Sequence, residues 1–343
     1  MRYMNSIFKK LIMLSLLFSS IFIINLFAQE GKVIGSSNHT VPSWFKQSFL
    51  DIAEDIDEAS EEGKHFMIFF DFEACPYCSK MLKESFEDKN ETSDFVKKHF
   101  DVIELNVKGS KEVTWIDGEL VNERDLTNKL KIQYSPTMVF FDEEKNIIAR
   151  VNGYRNSEDF KDILDYVQTK SYLKMDLLTY LNNIEKKDIY KFKSNKMFKE
   201  LTDLSKIKTP LAIIFEDKSC IPCGHFHDKI LTNKDVQDEF SKYTIVRLDA
   251  NSNSLIITPN GEKTSAKSWV KKIKLDYRPG ILLYNDGELK STIDALLFPF
   301  HFKEVLRYVS GKFYIAYPNT YLDYLKDRQE ELIKSGVDIN VAE

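Results

Sequence analysis

The sequence predicts an α/β protein built from two tandem copies of one unit, each a mixed central sheet flanked by helices. Three observations predict this. First, Cys75-Pro76-Tyr77-Cys78 sits between the apolar run 66–70 and a stretch with Met81, Leu82 and Phe86 at helical spacing, which reads as a buried strand turning into a helix. Second, the arrangement returns: Cys220-Ile221-Pro222-Cys223 follows the first pair by 145 positions, behind the apolar run 211–215. The surroundings return with it. Asp117-Gly118-Glu119 is matched by Asn260-Gly261-Glu262, Tyr134-Ser135-Pro136 by Tyr277-Arg278-Pro279, and Phe160 with Tyr166-Val167 by Phe302 with Tyr308-Val309. A period this long marks a duplicated domain, because solenoid repeats are much shorter. Third, strands alternate with helices in each copy and end in a hairpin, the pattern of a mixed sheet with helices on its faces.

In chain order, Arg2, Lys9 and Lys10 precede an apolar run over 11–27, and Ala28 then meets Gln29-Glu30-Gly31. This is the layout of a secretory signal peptide over 1–28. Leu26 is not the small residue favoured near a cleavage site, and the run is just long enough to span a bilayer. An uncleaved anchor is therefore the alternative, and membrane contact is expected only in that case. Either way the positive charges stay inside and the bulk of the chain lies outside the cytoplasm. A periplasmic location is expected, or an anchored form facing the periplasm.

Residues 30–42 are polar and read as a flexible lead. Phe45, Phe49, Ile52, Ala53 and Ile56 predict a helix over 44–59. The strand 66–70 and the Cys75 helix follow, then a helix around Phe95, a strand over 102–107 and a helix over 123–130. The strand 138–141 turns into 147–151 as a hairpin, and a helix over 160–167 closes the unit. Residues 172–187 read as a charged helical connector. The second unit opens near Phe192, with Phe198, Leu201 and Leu204 on one face, and repeats the order: strand 211–215, helix from Cys220, strand 244–249, helix 267–274, hairpin 281–284 with 289–293, helix 302–309. A charged helix over 321–333 ends in a frayed tail, 338–343. The expected domains are thus 43–170, a connector 171–190, 191–312, and a C-terminal charged helix within 313–343. The length of 343 residues agrees with about two domains. The formal charge of −5 gives no reason to expect nucleic acid.

All four cysteines lie in the two C-x-x-C pairs, so none remains for long-range bridging. Two thiols at a strand-to-helix turn can close a small disulfide ring. The first thiol stands near a helix N-terminus, where unpaired N–H groups favour the thiolate that attacks disulfides. Pro76 falls in the first helical turn, where its missing N–H costs nothing. Zinc sites usually space such pairs by about 15–20 residues, far less than here. Cys220, Cys223, His225 and His227 invite a metal reading, but on a helix the two histidines point to different faces. Haem attachment needs His after the second Cys, where Ser79 and Gly224 stand. No metal and no cofactor is expected.

These residues resemble the thioredoxin superfamily, and the first unit is similar to the SoxW-like or thioredoxin-2 type found in bacterial periplasms. The resemblance rests on the Phe-rich strand, the Cys75 motif, Asp117-Gly118, Ser135-Pro136-Thr137 and Gly153-Tyr154. It covers 44–170 well and 190–312 more loosely. It implies that Cys75 is the nucleophile and Cys78 the resolving thiol, with Cys220 and Cys223 as their counterparts. It implies a cis bond at Ser135-Pro136, beside the pair, with Ser135 free to meet a substrate strand. Pro76, Tyr77, Ser135, Pro136, Arg278 and Pro279 become the expected substrate-binding residues. The activity implied is thiol-disulfide exchange with protein substrates, coupled to a membrane or periplasmic redox partner. A docking module without catalysis and a thiol-based metallochaperone are the alternatives. Four departures stand out. The buried acid of thioredoxins, six positions before the first Cys, is replaced by Phe69 and Ile214. Arg278 replaces the small residue before the second proline and is expected to bring a positive charge beside Cys220. Gly280 stands for Thr137. Gly153-Tyr154 has no clear counterpart around Leu297-Phe298.

Overall fold

The computed structural model describes residues 30–184, 190–318 and 320–342. The export segment expected over 1–28 lies outside the described residues, as does the connector's 185–189. Among the described residues no helix is long and apolar enough to cross a membrane.

The first fold is built on strand β2 (His65–Asp71), with the short β1 (Val33–Ile34) ahead of it. β2 pairs in parallel with β3 (Phe100–Asn106) and antiparallel with β6 (Thr137–Phe141), which turns back into β7 (Ile147–Asn152). The sheet order is β3-β2-β6-β7. β2 is buried on both faces, which is why it reads as an unbroken apolar run. Met67 and Phe69 pack with Phe86, Phe140 and Phe160 on one side, while Phe66, Ile68 and Phe70 pack with Ile52, Ile56 and Trp115 on the other. Between β3 and β6 lie a small hairpin, β4 (Glu112–Thr114) with β5 (Leu120–Asn122), and a helix, Glu123–Lys129.

The second fold repeats this plan. β8 (Leu211–Glu216) pairs in parallel with β9 (Thr244–Asp249) and antiparallel with β12 (Gly280–Asn285), which pairs with β13 (Glu288–Ile293). The order is β13-β12-β8-β9. The small hairpin also returns as β10 (Leu255–Ile257) with β11 (Lys263–Ser265). The α/β class and the two tandem mixed sheets are as the sequence predicts.

Four local expectations are corrected. The first helix, α1, spans Ile52–Glu61. Leu50 takes a positive φ of 64°, and the Asp51 side chain caps the helix by accepting from the Glu54 amide. Phe49, upstream of this cap, is fully exposed instead of facing the core. The segment before β8 forms no helix; Phe198 and Asp203 make single bridges to Ile245 and Ile257, and Leu201 is exposed. The lead is not loose, because Val33–Ile34 pairs in parallel with β14 (Ile339–Asn340). For the same reason the tail is not frayed: Ile339 and Val341 are buried. Within the connector, a 3-10 turn (Ser171–Leu173) and a helix, Leu177–Asn183, are formed.

Candidate active site

Each cysteine pair opens a helix directly after the central strand. Pro76–Met81 begins one and continues as a π-turn, Leu82–Phe86. Ile221–His225 begins the other and continues as Phe226–Ile230. Cys75 and Cys220 occupy the N-cap positions in extended backbone, so each sulfur takes the place of a capping oxygen. The Cys75 Sγ accepts from the Cys78 amide at 3.1 Å, and the Cys220 Sγ from the Cys223 amide at 3.0 Å. Both pairs are closed as disulfides. A sulfur held against helix N–H groups is stabilised as an anion when the bond opens.

The structure brings the expected proline loops to these pairs. Ser135-Pro136 and Arg278-Pro279 are both cis. The Ser135 carbonyl lies 3.8 Å from the Cys75 sulfur. Pro136 accepts from the Gly153 amide at 2.7 Å, which ties the loop to the end of β7. Arg278 does not add a free positive charge beside Cys220. Its Nε lies 3.2 Å from Asp217 Oδ2, and its Nη1 donates to the carbonyls of Leu275 and Tyr277. Burial lowers its pKa, against the pull of Asp217.

The two sites differ in access. Cys75 and Cys78 are 0 % exposed. Tyr77, between them, stacks on Phe298 of the second fold at a centroid distance of 4.4 Å. Cys220, 4 % exposed, opens with Pro222 into a cavity of about 460 Å³. That cavity is walled on the far side by Arg155, Asp159 and Leu181 of the first half of the chain. Its other charged lining includes Lys218, Asp249 and Lys267, so neither sign prevails.

Phe69 and Ile214 are indeed apolar core residues, yet an acid is present two positions later in each copy. Asp71 and Glu216 end the two central strands, four positions before the first Cys, and both are buried. Asp71 Oδ2 lies 2.7 Å from His39 Nε2. That bond raises the His39 pKa, against the effect of burial. Glu104 on the adjoining strand is pushed up to about 7, first by burial and then by the neighbouring Asp71 charge. Glu216 accepts from Tyr190 at 3.1 Å and lies 2.7 Å from His227 Nε2. A buried carboxylate is tolerated only with such partners. The thioredoxin pattern does not point to these acids, because they stand two positions after the place where thioredoxins carry theirs. The shared spacing of Asp71 and Glu216 was visible. Of their partners, His39 and Tyr190 come from segments ahead of each strand and carry no local signal, while His227 lies in the helix that the second cysteine pair opens.

No curated protein matches the chain in sequence. Among solved structures it is similar to a thioredoxin-fold protein from Helicobacter pylori, at 22 % identity and a TM-score of 0.32, covering 39 % of this chain and 89 % of that one. A thioredoxin from Thermus thermophilus matches at 24 % identity and a TM-score of 0.28, over 35 % of this chain and 85 % of that one. An oxidoreductase titled DsbH matches at 19 % and 0.28, over 41 % and 88 %. The sequence model of the Thioredoxin-like domain matches twice, over residues 52–168 and 197–310, together well over half of the chain. The chain therefore belongs to the thioredoxin-like family, with two such domains in tandem, each carrying a disulfide-forming C-x-x-C pair.

Proposed function

We propose that the protein is an exported thiol-disulfide oxidoreductase that exchanges disulfides with polypeptide substrates. One observation carries this reading: in both folds a cysteine pair caps a helix N-terminus and a cis-proline follows before the antiparallel neighbour strand, with the Ser135 carbonyl 3.8 Å from the Cys75 sulfur. Export rests on the basic residues and apolar run of 1–28.

In the oxidising direction a substrate thiolate attacks the Cys75 sulfur and forms a mixed disulfide. The Cys75–Cys78 bond breaks, and its electron pair leaves on Cys78. A second substrate thiolate then attacks the substrate's own sulfur in that mixed disulfide. The electron pair leaves on Cys75. The substrate gains a disulfide, and the protein holds two electrons and takes up the protons. The reverse sequence reduces a substrate. The helix N–H groups stabilise the departing thiolate at Cys75, and Pro76 and Tyr77 shape the turn between the sulfurs. Ser135 and Pro136 offer the surface where substrate backbone meets the pair. Cys220, Cys223, Arg278 and Pro279 do the same at the second site. Regeneration falls to a periplasmic or membrane redox partner.

Cys78→Ala should trap substrate proteins as mixed disulfides on Cys75, and Cys75→Ala should not. Intact-mass analysis after acid quench reads the adducts. No adduct with either variant, and no exchange with a model protein disulfide by the full chain, would overturn the reading.

A further inference from the structure

The segment between β13 and the helix Pro299–Ser310 packs on Tyr77 of the first cysteine motif, although it belongs to the second fold. Its side chains alternate. Ala295 and Leu297 pack into the second fold's core, whereas Leu296 and Phe298 pack into the cluster that contains Cys75 and Cys78. Such alternation is that of an extended strand with two different faces. Phe298 stacks on Tyr77, and its amide donates to the Tyr77 hydroxyl at 2.6 Å. At the other end, Asn152 donates to Asp294 at 2.7 Å, and Arg155 donates to the Asp294 carbonyl at 3.3 Å. In between, Ala295 lies so close to Gly153 that a Cβ on the glycine would sit 2.3 Å from the Ala295 Cβ. This close approach, and the positive φ of 73°, explain a glycine here. The groove is thus lined by Tyr77 of the cysteine motif and by the end of β7, and a four-residue apolar stretch fills it.

We propose that this groove is a docking site for an extended apolar polypeptide segment with an aromatic side chain at its end, and that residues 294–298 are its resident occupant. The proposal rests on the exchange chemistry above and names the substrate class of the first site. Tyr77 selects the aromatic side chain by stacking, and Gly153 admits a backbone at close range. An incoming polypeptide reaches Cys75 only after it displaces the resident segment. Cys220 of the second pair lines a cavity and needs no such displacement. The groove therefore favours unfolded chains, whose apolar segments are extended and exposed, over native proteins.

The test uses the full chain and no exchange partner, so its failure is separate from failure of the redox reading. Reduction by dithiothreitol is followed by timed alkylation and mass analysis of the peptides holding each pair. In the wild type the first pair should open at least tenfold more slowly than the second. Leu296→Ser with Phe298→Ser should raise the first rate about tenfold and leave the second unchanged. Asn152→Ala, which releases the Asp294 anchor together with the contacts that Arg150 Nε and Thr137 Oγ1 make to the Asn152 oxygen, should raise it about threefold and serves if the double variant does not fold. The peptide Ala-Leu-Leu-Phe, amidated, should bind the double variant, or Asn152→Ala in its place, and shift the Tyr77 ring resonances, and Ala-Ser-Leu-Ser should not. Equal rates for the two pairs in the wild type, no acceleration in either variant, or no preference between the peptides would overturn the proposal.

Discussion

At the scale of single residues, Glu104 shows how burial rewrites a carboxylate. It sits on β3 beside the Asp71 charge, and its pKa is raised from the ordinary 4.5, first by burial. The folded protein then holds this proton more tightly than the unfolded chain does. Between pH 4.5 and about 7 the native state binds more protons, so stability falls as pH rises through that window. Glu104→Gln removes the titration. The variant should lose less stability than the wild type between pH 5 and 8, by on the order of 1 kcal/mol. Urea denaturation at the two pH values reads the difference, and an unchanged slope would count against a buried proton at this position. The sequence displays Glu104 as one of three polar residues in β3, with Asp101 and Asn106. It did not display Asp71 as its neighbour, because that contact depends on the parallel pairing of β2 with β3.

At the scale of elements, periodicity placed most strands and helices, and it failed where a local cap competes with an apolar pattern. The repeat of Phe45, Phe49, Ile52 and Ile56 suggests one helix from 44 onwards. The helix starts eight residues later because Asp51 satisfies the Glu54 amide and Leu50 leaves right-handed φ space. Capping side chains of this kind contribute about 0.5–2 kcal/mol. Asp51→Ala should therefore lower the unfolding free energy by about 1 kcal/mol without altering the sheet. Chemical denaturation with far-UV dichroism measures it, and a neutral result would show that the α1 N-terminus is held by packing alone. The order of the tail is hidden in the sequence for another reason. Polar Asp338 and Asn340 flank Ile339, which suggests a frayed end, yet Ile339 pairs with Val33 some three hundred residues away. A two-residue strand carries no periodicity to read.

At the scale of the whole molecule, the duplication was legible and the docking of the two copies was not. Repeated motifs fix that there are two folds, but an apolar residue gives no sign of whose core it joins. Tyr134 illustrates this. It precedes the cis-proline loop of the first fold, yet its ring is buried in the second fold's core, and its hydroxyl donates to the Thr292 carbonyl at 2.9 Å. Phe298 does the reverse, entering the first fold's core from the second. The two residues cross between the folds near Gly153 and Ala295, and Arg155 stacks on Tyr277 at 4.4 Å beside them. The second site's proline loop therefore also leans on the first fold. A residue that belongs to one fold by sequence and to the other by packing should transmit its loss to the other. Truncating a large buried ring costs about 3 kcal/mol where the neighbours do not close up. Tyr134→Ala should accordingly speed amide exchange in Glu288–Ile293 of the second fold by tenfold or more, because the ring and its bond to Thr292 support that edge strand. Exchange in His65–Asp71, the central strand of its own fold, should change far less. Hydrogen exchange with peptide-resolved mass analysis distinguishes the two. Deprotection confined to the first fold would show that the folds pack as neighbours without sharing a core.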